Sequence, residues 1–568
     1  MAVCYRVMNW RKKSGIASAG FLAVLASLVV AVLLGVVVWR TAVVAGDVAD
    51  MGALASPAQL ATPAQAPPSN WLDQYLDKLS AGALISVLQT KGVTEYTLAG
   101  KKITVPPLRT EVTPTADIPV GVDPSIHENE PSITVNPVNP RFVVAIFHAI
   151  GTGRCAVYRS TDGGLTWSFV TFLPLRYPSD FCSDPVVRYS PNGAIVYAVY
   201  MSIRADGSSA DIVVCRSTNN GATWCTTPVV AIPGGPNRFP DKPWLDVHRF
   251  FPGADTNNKV YVTATVFTPT GCQIEFSRST NGGLTWSTPT ALTPTTGCFV
   301  QGSRPIGGRA ISSSVGHVLV CWYHAESDGW LTGVFDIRCR SSGDYGVTWG
   351  PEVTAVDNMH YELTYWLGPN CQYHRWAGAM FPSIMIGPDG VAHMVFTADP
   401  TPSATLDGCP DPGLGLPGAD QEAGDVFYVR SPGFPYNTWS IPHRVNSDPP
   451  GFAQGYATVN VKVIQGVPVV FVAWMDHRVS IWTGAPNSKY AIYGSWTWPG
   501  KWGWFSENIP ISYVESHSDQ IFIGDYIDSA TSNRADDPFV YVIWTDRSDK
   551  NTEFDFEDDV WMEKVPLP

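Results

Sequence analysis

The phrase RSTDGGLTW at 159–167 returns three times with little change, as RSTNNGATW at 216–224, RSTNGGLTW at 278–286 and SGDYGVTW at 342–349. Such recurrence at one place in a longer unit marks a repeat architecture before it marks any chemistry. Gly takes turn dihedrals that other residues resist, and Asp or Asn bonds neighbouring backbone amides, so each phrase reads as a turn between the third and fourth strands of a unit. The closing Thr and Trp are expected to begin that fourth strand, with the indole packed between sheets.

The units around these turns share an order. Each opens with a polar or charged residue near Pro or Gly and a short apolar strand, as in ENEPSITV, CSDPVVRY, FPDKPWLDV, QGSRPIGG, AMFPSIMI, GYATVNV and IFIGDYID. A second apolar run follows, from FVVAIFH in the first unit to FVYVIWTD in the last, and a third leads into the turn. Fifty Gly, 47 Pro and 21 Trp with only 15% charged residues suit short strands and turn-rich connections. The expected fold is all-β, a β-propeller of four-stranded blades, seven by this count. The last unit stops after DDVWMEKV, so the segment 108–120 is expected to supply its fourth strand and remove the exposed edges.

The N-terminus is of another kind. Arg6, Arg11, Lys12 and Lys13 precede the uncharged run 15–39, which as a helix would span about 37 Å against about 30 Å of hydrocarbon. It predicts an uncleaved signal anchor, a cleavage site at 43–45 being the alternative. The basic flank places residues 1–14 in the cytoplasm and all beyond Arg40 outside or in a lumen, a single-pass type II topology. Residues 40–107 read as an Ala/Pro-rich stalk with a short amphipathic helix at 71–90, and 108–568 as the propeller. A net charge of −13 without a basic stripe argues against nucleic acid as a partner.

The pattern S-x-D-x-G-x-T-W, intact at 160–167 and 342–349, resembles the Asp-box, or BNR repeat, of the sialidase-like propellers. Asp162 and Asp344 hold its acidic position, and Asn219 and Asn281 replace it in the other two copies. NEPSITVNPVNP, DKPWLDV, VAWMDHR, IGDY and VIWTDR are similar to the same family over residues 125–568. The resemblance implies a glycan-directed site, and in catalytic members three arginines on a substrate carboxylate, a Tyr backed by Glu as nucleophile and an Asp as acid/base. It also implies six blades as the alternative count. The F/Y-R-I-P motif of such enzymes is replaced here by NEPSI, with Glu130 and no Arg, which leaves a non-catalytic adhesin or an interaction scaffold as further readings.

Innermost strands converge on a propeller's axis, so groups at their starts can meet although distant in sequence. Glu130, Asp184, Asp241 and Asp525, with Tyr526, are the candidate catalytic set, against a reading in which they cap strands and bond water. Arg304, Arg309, Arg478 and Arg547 are the candidate substrate-binding set, with salt bridges between blades as the plainer reading of Arg478 and Arg547. No cofactor and no metal are expected. The acidic run 553–559 has no calcium-loop spacing and reads as a solvated strand edge. Ten of the eleven cysteines follow the anchor, where disulfides are permitted. The expected pairs are Cys155 with Cys182, Cys215 with Cys225, Cys272 with Cys298, Cys321 with Cys339, and Cys371 with Cys409.

Overall fold

A computed structural model describes residues 120–567 except 122–126, 249–258, 296, 309–315, 327–333, 361–379, 400–423, 449–451, 483–488, 513–514, 518–522 and 548–557. Before them it describes Leu72, Leu79, Val87, Leu88, Lys91 and two short strands. The expected tail 1–14, the anchor 15–39 and most of the stalk lie outside the described residues, as do Arg309, Cys371 and Cys409. Among the described residues no helix is long and apolar enough to cross a membrane.

The chain divides into two units, 1–68 with 97–102 and 69–96 with 103–568. In the first, the described residues belong to a hairpin of Glu95–Leu98 and Lys101–Thr104, whose remaining residues fall in the second. Of the helix expected at 71–90, Val87 and Leu88 are helical, and the Lys91 amide bonds the Val87 carbonyl at 3.3 Å.

The described residues of the second unit form seven blades. In the first, Glu128–Val135, Val143–Ala149, Arg154–Ser160 and Ser168–Phe172 pair antiparallel in that order from the axis outward. Five more repeat the order, with inner strands Phe181–Tyr189, Phe239–Val247, Val300–Gly308, Ser383–Ile386 and Gln454–Ile464. The seventh keeps three strands, Asp528–Thr531, Phe539–Asp546 and Asp559–Pro566. Inner and second strands are buried on both faces because each sheet is covered by its neighbours, and this explains their near-continuous apolar runs. Val144 and Ile146 of blade 1 share a core with Val187 and Tyr200 of blade 2, and Ile133 and Phe147 share another with Tyr541 and Ile543 of blade 7. The first blade thus packs against the last, and the ring is closed.

The repeated phrase is a turn built on one hydroxyl and one carboxylate. Ser160 Oγ donates to Asp162 Oδ1 (2.7 Å) and accepts from the Gly164 amide (2.8 Å). Asp162 Oδ1 accepts from the Leu165 and Thr166 amides (3.0 and 2.9 Å), and Oδ2 from the Thr166 hydroxyl (2.5 Å). Asp344 repeats the set with Ser342, Val347 and Thr348. Where Asn replaces Asp, the last bond reverses: Asn219 and Asn281 donate their amides to Thr223 and Thr285 Oγ1, each at 2.8 Å. A single-atom change in the side chain is absorbed by rotating one hydroxyl. The expected start of the fourth strand at Thr and Trp is corrected, because those strands begin later, at Ser168, Val229, Thr290 and Val353. The Thr is spent on the turn's hydrogen bonds and cannot join the ladder.

The turn glycines Gly164, Gly221, Gly283 and Gly346 are left-handed, with φ from 78° to 85°. Each faces the preceding blade. A Cβ on Gly221 would lie 2.7 Å from Val144, one on Gly283 3.1 Å from Tyr197, and one on Gly346 2.5 Å from Phe276. Gly164 of blade 1 faces Met562 of blade 7 in the same way, at 3.2 Å. Arginines answer from the other side, with Arg216 donating to the Gly282 carbonyl (2.7 Å) and Arg278 to that of Tyr345 (3.4 Å).

Of the segment 108–120 expected to supply the last blade's fourth strand, residues 108–119 lie outside the described residues, and contacts to the final strand are described at Val120 and Gly121. Gly121 bridges Val560 of the final strand, Val120 is fully buried beside it, and the Glu128 amide bonds the Asp558 carbonyl at 2.8 Å. Four disulfides are formed among the described residues, Cys155–Cys182, Cys215–Cys225, Cys272–Cys298 and Cys321–Cys339, all in the expected pairing. Two tie a third strand to the approach of the next blade, and two lie within a blade. The acidic run 553–559 is corrected at its described end. Asp558 and Asp559 are buried, and Asp558 is held by Arg547 Nε at 2.9 Å.

Two outcomes follow for stability. Asp162→Ala should cost about 1–3 kcal/mol in urea unfolding at pH 7. Desolvation pushes the Asp162 pKa up, but the Thr166 hydroxyl and amide, the Ser160 hydroxyl and the Leu165 amide outweigh it and bring the pKa down to about 2. Because the folded value lies below the unfolded one, the contribution is complete above about pH 4 and disappears as pH falls through about 2, so the two proteins converge in acid. Val120→Asp should place a carboxylate in the apolar seam between the first and last blades, with a loss of about 3 kcal/mol or more by calorimetry.

Candidate functional site

Five of the inner strands share a device that builds the site. Their ladders to the second strand break at one place, between Asn129 and Ser132, Ser183 and Val186, Asp241 and Trp244, Gln301 and Arg304, and Gly455 and Thr458. At each bulge one residue is left-handed: Glu130, Asp184, Lys242, Gly302 and Tyr456, with φ between 49° and 64°. Gly524 has φ 87° at the corresponding place before the seventh inner strand. A bulge re-aims the side chain it carries, here toward the axis. Gly302 leaves room for the Phe381 ring, which a Cβ would meet at 2.2 Å, and Gly524 leaves room for Glu130, which a Cβ would meet at 2.8 Å.

The charged members of this ring meet. Oxygens of Glu130, Asp184 and Asp525 lie within 4.8 Å of one another, all three side chains being buried. Lys242 Nζ sits 3.6 Å from Asp184 and 3.4 Å from Asp525, and 4.2 Å from the centre of the Tyr526 ring. His148 Nδ1 approaches Glu130 at 4.0 Å, but burial lowers its pKa to about 3, so it is neutral and adds no counter-charge. Three carboxyl groups thus surround one amine at this end of the axis. The three acids could hold a cation, and among the described residues so could His324, Glu326 and Asp336, although Arg338 already binds the last two.

Tyr526 separates the acidic cluster from what lies below it. Its hydroxyl donates to the Pro185 carbonyl at 2.9 Å, and its ring meets Trp244 edge-on at 5.4 Å. Burial first, and then the carboxylates of Glu130, Asp184, Asp528 and Asp525, push the phenol well above its usual pKa. Below Trp244 an axial channel of about 240 Å³ is lined by Arg188, Arg304, Ser383, Asn460 and Asp528 among others. Arg188 grips Asp528 with both terminal nitrogens (2.7 and 3.2 Å), and Ser132 Oγ donates to the same carboxylate at 2.7 Å. The Arg304 guanidinium sits over Trp244, its carbon 3.6 Å from the ring centre, and donates to Ser383 Oγ at 2.9 Å.

Of the sequence candidates, Glu130, Asp184, Asp525 and Tyr526 are brought together. Asp241 is displaced by one residue from the position expected of it: Lys242 takes the bulge, while Asp241 pairs with Gln301 Nε2 of the next blade at 3.1 Å. Arg304 is on the axis. Arg478 is instead engaged by Asp476 (2.9 and 2.7 Å), Asp448 (3.3 Å) and Asn508 (3.0 Å) and covers Tyr493, and Arg547 is buried against Asp558. Both follow second strands and act as ties within and between blades. Lys242, Trp244, Arg188, Asp528 and Phe381 were not singled out from sequence. The signal was present in the X-Pro step shared by Glu130, Asp184, Lys242 and Phe381, which marks the same place in four blades.

Lys242→Met leaves the paired carboxylates without their ammonium. It should destabilise the fold by about 3–5 kcal/mol in denaturant unfolding, the cost of breaking a buried ion pair from one side.

No family model matches the chain, and no curated protein does. Among solved structures, the α-L-arabinofuranosidase of Fusarium graminearum with an iminosugar inhibitor is 13% identical over 64% of this chain and 92% of its own, with a TM-score of 0.38. The intramolecular trans-sialidase of Ruminococcus gnavus is 13% identical over 80% of this chain and 97% of its own, at 0.38. The Trypanosoma rangeli sialidase with the inhibitor DANA is 14% identical over 80% of this chain and 58% of its own, at 0.36.

Proposed function

We propose that the propeller acts on glycans at the acidic end of its axis and that Glu130, Asp184 and Asp525 supply the acid and base groups for hydrolysis of a terminal glycosidic bond. The observation that carries this is the meeting of three carboxyl groups, delivered by three blades, within 4.8 Å. Glycosyl transfer builds positive charge on the sugar ring and needs one carboxyl group to hand over a proton while another stabilises that charge or attacks. A cluster whose negative charge exceeds its single ammonium is suited to that demand, and Lys242 holds two of the three side chains in place. The turn phrases and their likeness to the sialidase-like repeat favour a sialic acid or another terminal sugar as substrate. The run 15–39 would tether residues 108–568 to a membrane by the stalk, with the propeller on the extracellular or luminal side.

A second reading, a glycan-binding adhesin without turnover, is favoured by the engagement of Arg478 and Arg547 with their own carboxylates, which among the described residues leaves Arg304 as the one axial arginine of the expected clamp.

The test uses the full chain in detergent against a broad panel of aryl glycosides, sialosides included. Sugar release is expected from at least one, with Asp184→Asn lowering kcat/KM by about 100-fold or more per folded molecule, the folded fraction being measured by circular dichroism. Tight binding on a glycan array with no release from any glycoside would replace the first reading by the second, and neither binding nor release would leave a protein scaffold.

A further inference from the structure

The channel below Trp244 has a charge pattern opposite to that of the cluster above it. Three cations line it, Arg188, Arg304 and Lys462, against two carboxylates, Asp246 and Asp528. Most of these are accounted for. Arg188 is paired with Asp528, Asp246 accepts from the Gly307 amide at 2.8 Å, and Lys462 Nζ donates to the Ser532 and Arg534 carbonyls at 2.7 and 2.9 Å. Arg304 is the exception. The residue is 8% exposed, and among the described residues its one hydrogen bond goes to a serine hydroxyl and no carboxylate lies within ion-pairing distance. A guanidinium carries five N–H donors, so four remain to be met inside the channel. Stacking on Trp244 covers one face of the plane but satisfies no donor at its edge.

Burying a cation without its counter-charge is costly unless something supplies that charge. Burial lowers the Arg304 pKa only to about 9, so the group is still cationic at neutral pH. We infer that the axial channel binds a small anion, an oxyanion, halide or carboxylate group, at the free edge of the Arg304 guanidinium. Planar donors in a fork favour a two-oxygen acceptor. The lining continues through Pro137, Pro191, Pro388 and Asn533, which follow the inner strands, so the channel runs toward the end away from the acidic cluster. An anion arriving from that end avoids the field of Glu130, Asp184 and Asp525. The inference rests on the channel alone and stands whether or not the cluster above it hydrolyses glycans.

Thermal unfolding of the full chain in detergent tests it, with sodium phosphate, sodium chloride and sodium acetate titrated at constant ionic strength against a bulky sulfonate. At least one of the three small anions should raise the melting temperature saturably, by a few degrees, while the sulfonate does not. A uronic acid that competes with that anion, where its methyl ester does not, would identify the carboxylate of a ligand as the occupant; failure to compete would identify a free ion. In Arg304→Met the saturable response should vanish, and in Arg304→Lys it should persist at about 10-fold higher anion concentration, as expected for a point charge replacing a fork. Equal stabilisation by all four anions, or an undiminished response in Arg304→Met, would overturn the inference. If Arg304→Met does not fold, calorimetric titration of the unmodified protein with phosphate and chloride decides it, and no saturable heat with either would overturn it as well.

Discussion

The contact on which the propeller depends is the pressing of a left-handed glycine against the sheet before it. The serine hydroxyl and the acidic or amide side chain close each turn so tightly that the residue two places beyond the Asp or Asn must have positive φ. Only a residue without Cβ fits there at low cost, and its bareness lets Val144, Tyr197, Phe276 and Met562 come into contact. The turn is therefore an interface between blades as much as a link within one. Since blade 1 presses on blade 7 in the same way as blade 2 on blade 1, the interaction has no natural end and favours a closed circle over an open row. In blade 5, Tyr436 takes the left-handed place at φ 57° and the Trp439 indole bonds its carbonyl at 3.1 Å, as Trp224 bonds that of Gly221 at 3.0 Å. The geometry survives the loss of the motif that announces it.

At the axis, architecture and chemistry separate cleanly. Left-handed bulge residues recur whether the side chain is Glu, Asp, Lys, Tyr or none at all. Their strain thus belongs to the way an inner strand turns into the hub and does not by itself mark a functional residue, although strained backbone often does. Function enters through which side chains fill these places. Glycine at two of them gives space to the Phe381 ring and to Glu130, so the cluster is shaped by absent side chains as well as by present ones.

The fold was legible because turns, strands and cysteines repeat. One copy of Asp162 or Asn219 would say little, while four at a common place in the unit fix where the third strand ends. The cysteine pairs were legible for the same reason, since Cys155 with Cys182 and Cys272 with Cys298 are one arrangement met twice. The site was legible only in part. Carboxylates at the starts of inner strands can be expected to converge, but their register cannot be read without the bulge, which puts Lys242 at the axis in place of Asp241. The arginines misled because their partners are invisible to local pattern: Arg478 is held partly by Asp448 and Asn508, each 30 residues away, and Arg547 by Asp558.

Stacking a negative cluster directly above a positive channel has an electrostatic consequence for both. Two rings stand between them: the Arg304 guanidinium lies 3.6 Å from the centre of the Trp244 ring, and Trp244 meets Tyr526 edge-on at 5.4 Å. The two rings keep the groups from collapsing into direct pairs, which would cancel the cluster's excess charge and leave nothing for a developing cation on a sugar. Lys242, bound to two of the acids and resting on Tyr526, reaches the cluster from the side, so its neutralisation is partial by construction. Aromatic side chains at this level therefore act as insulation, and the hub can hold acids and bases close together because the rings decide which of them touch.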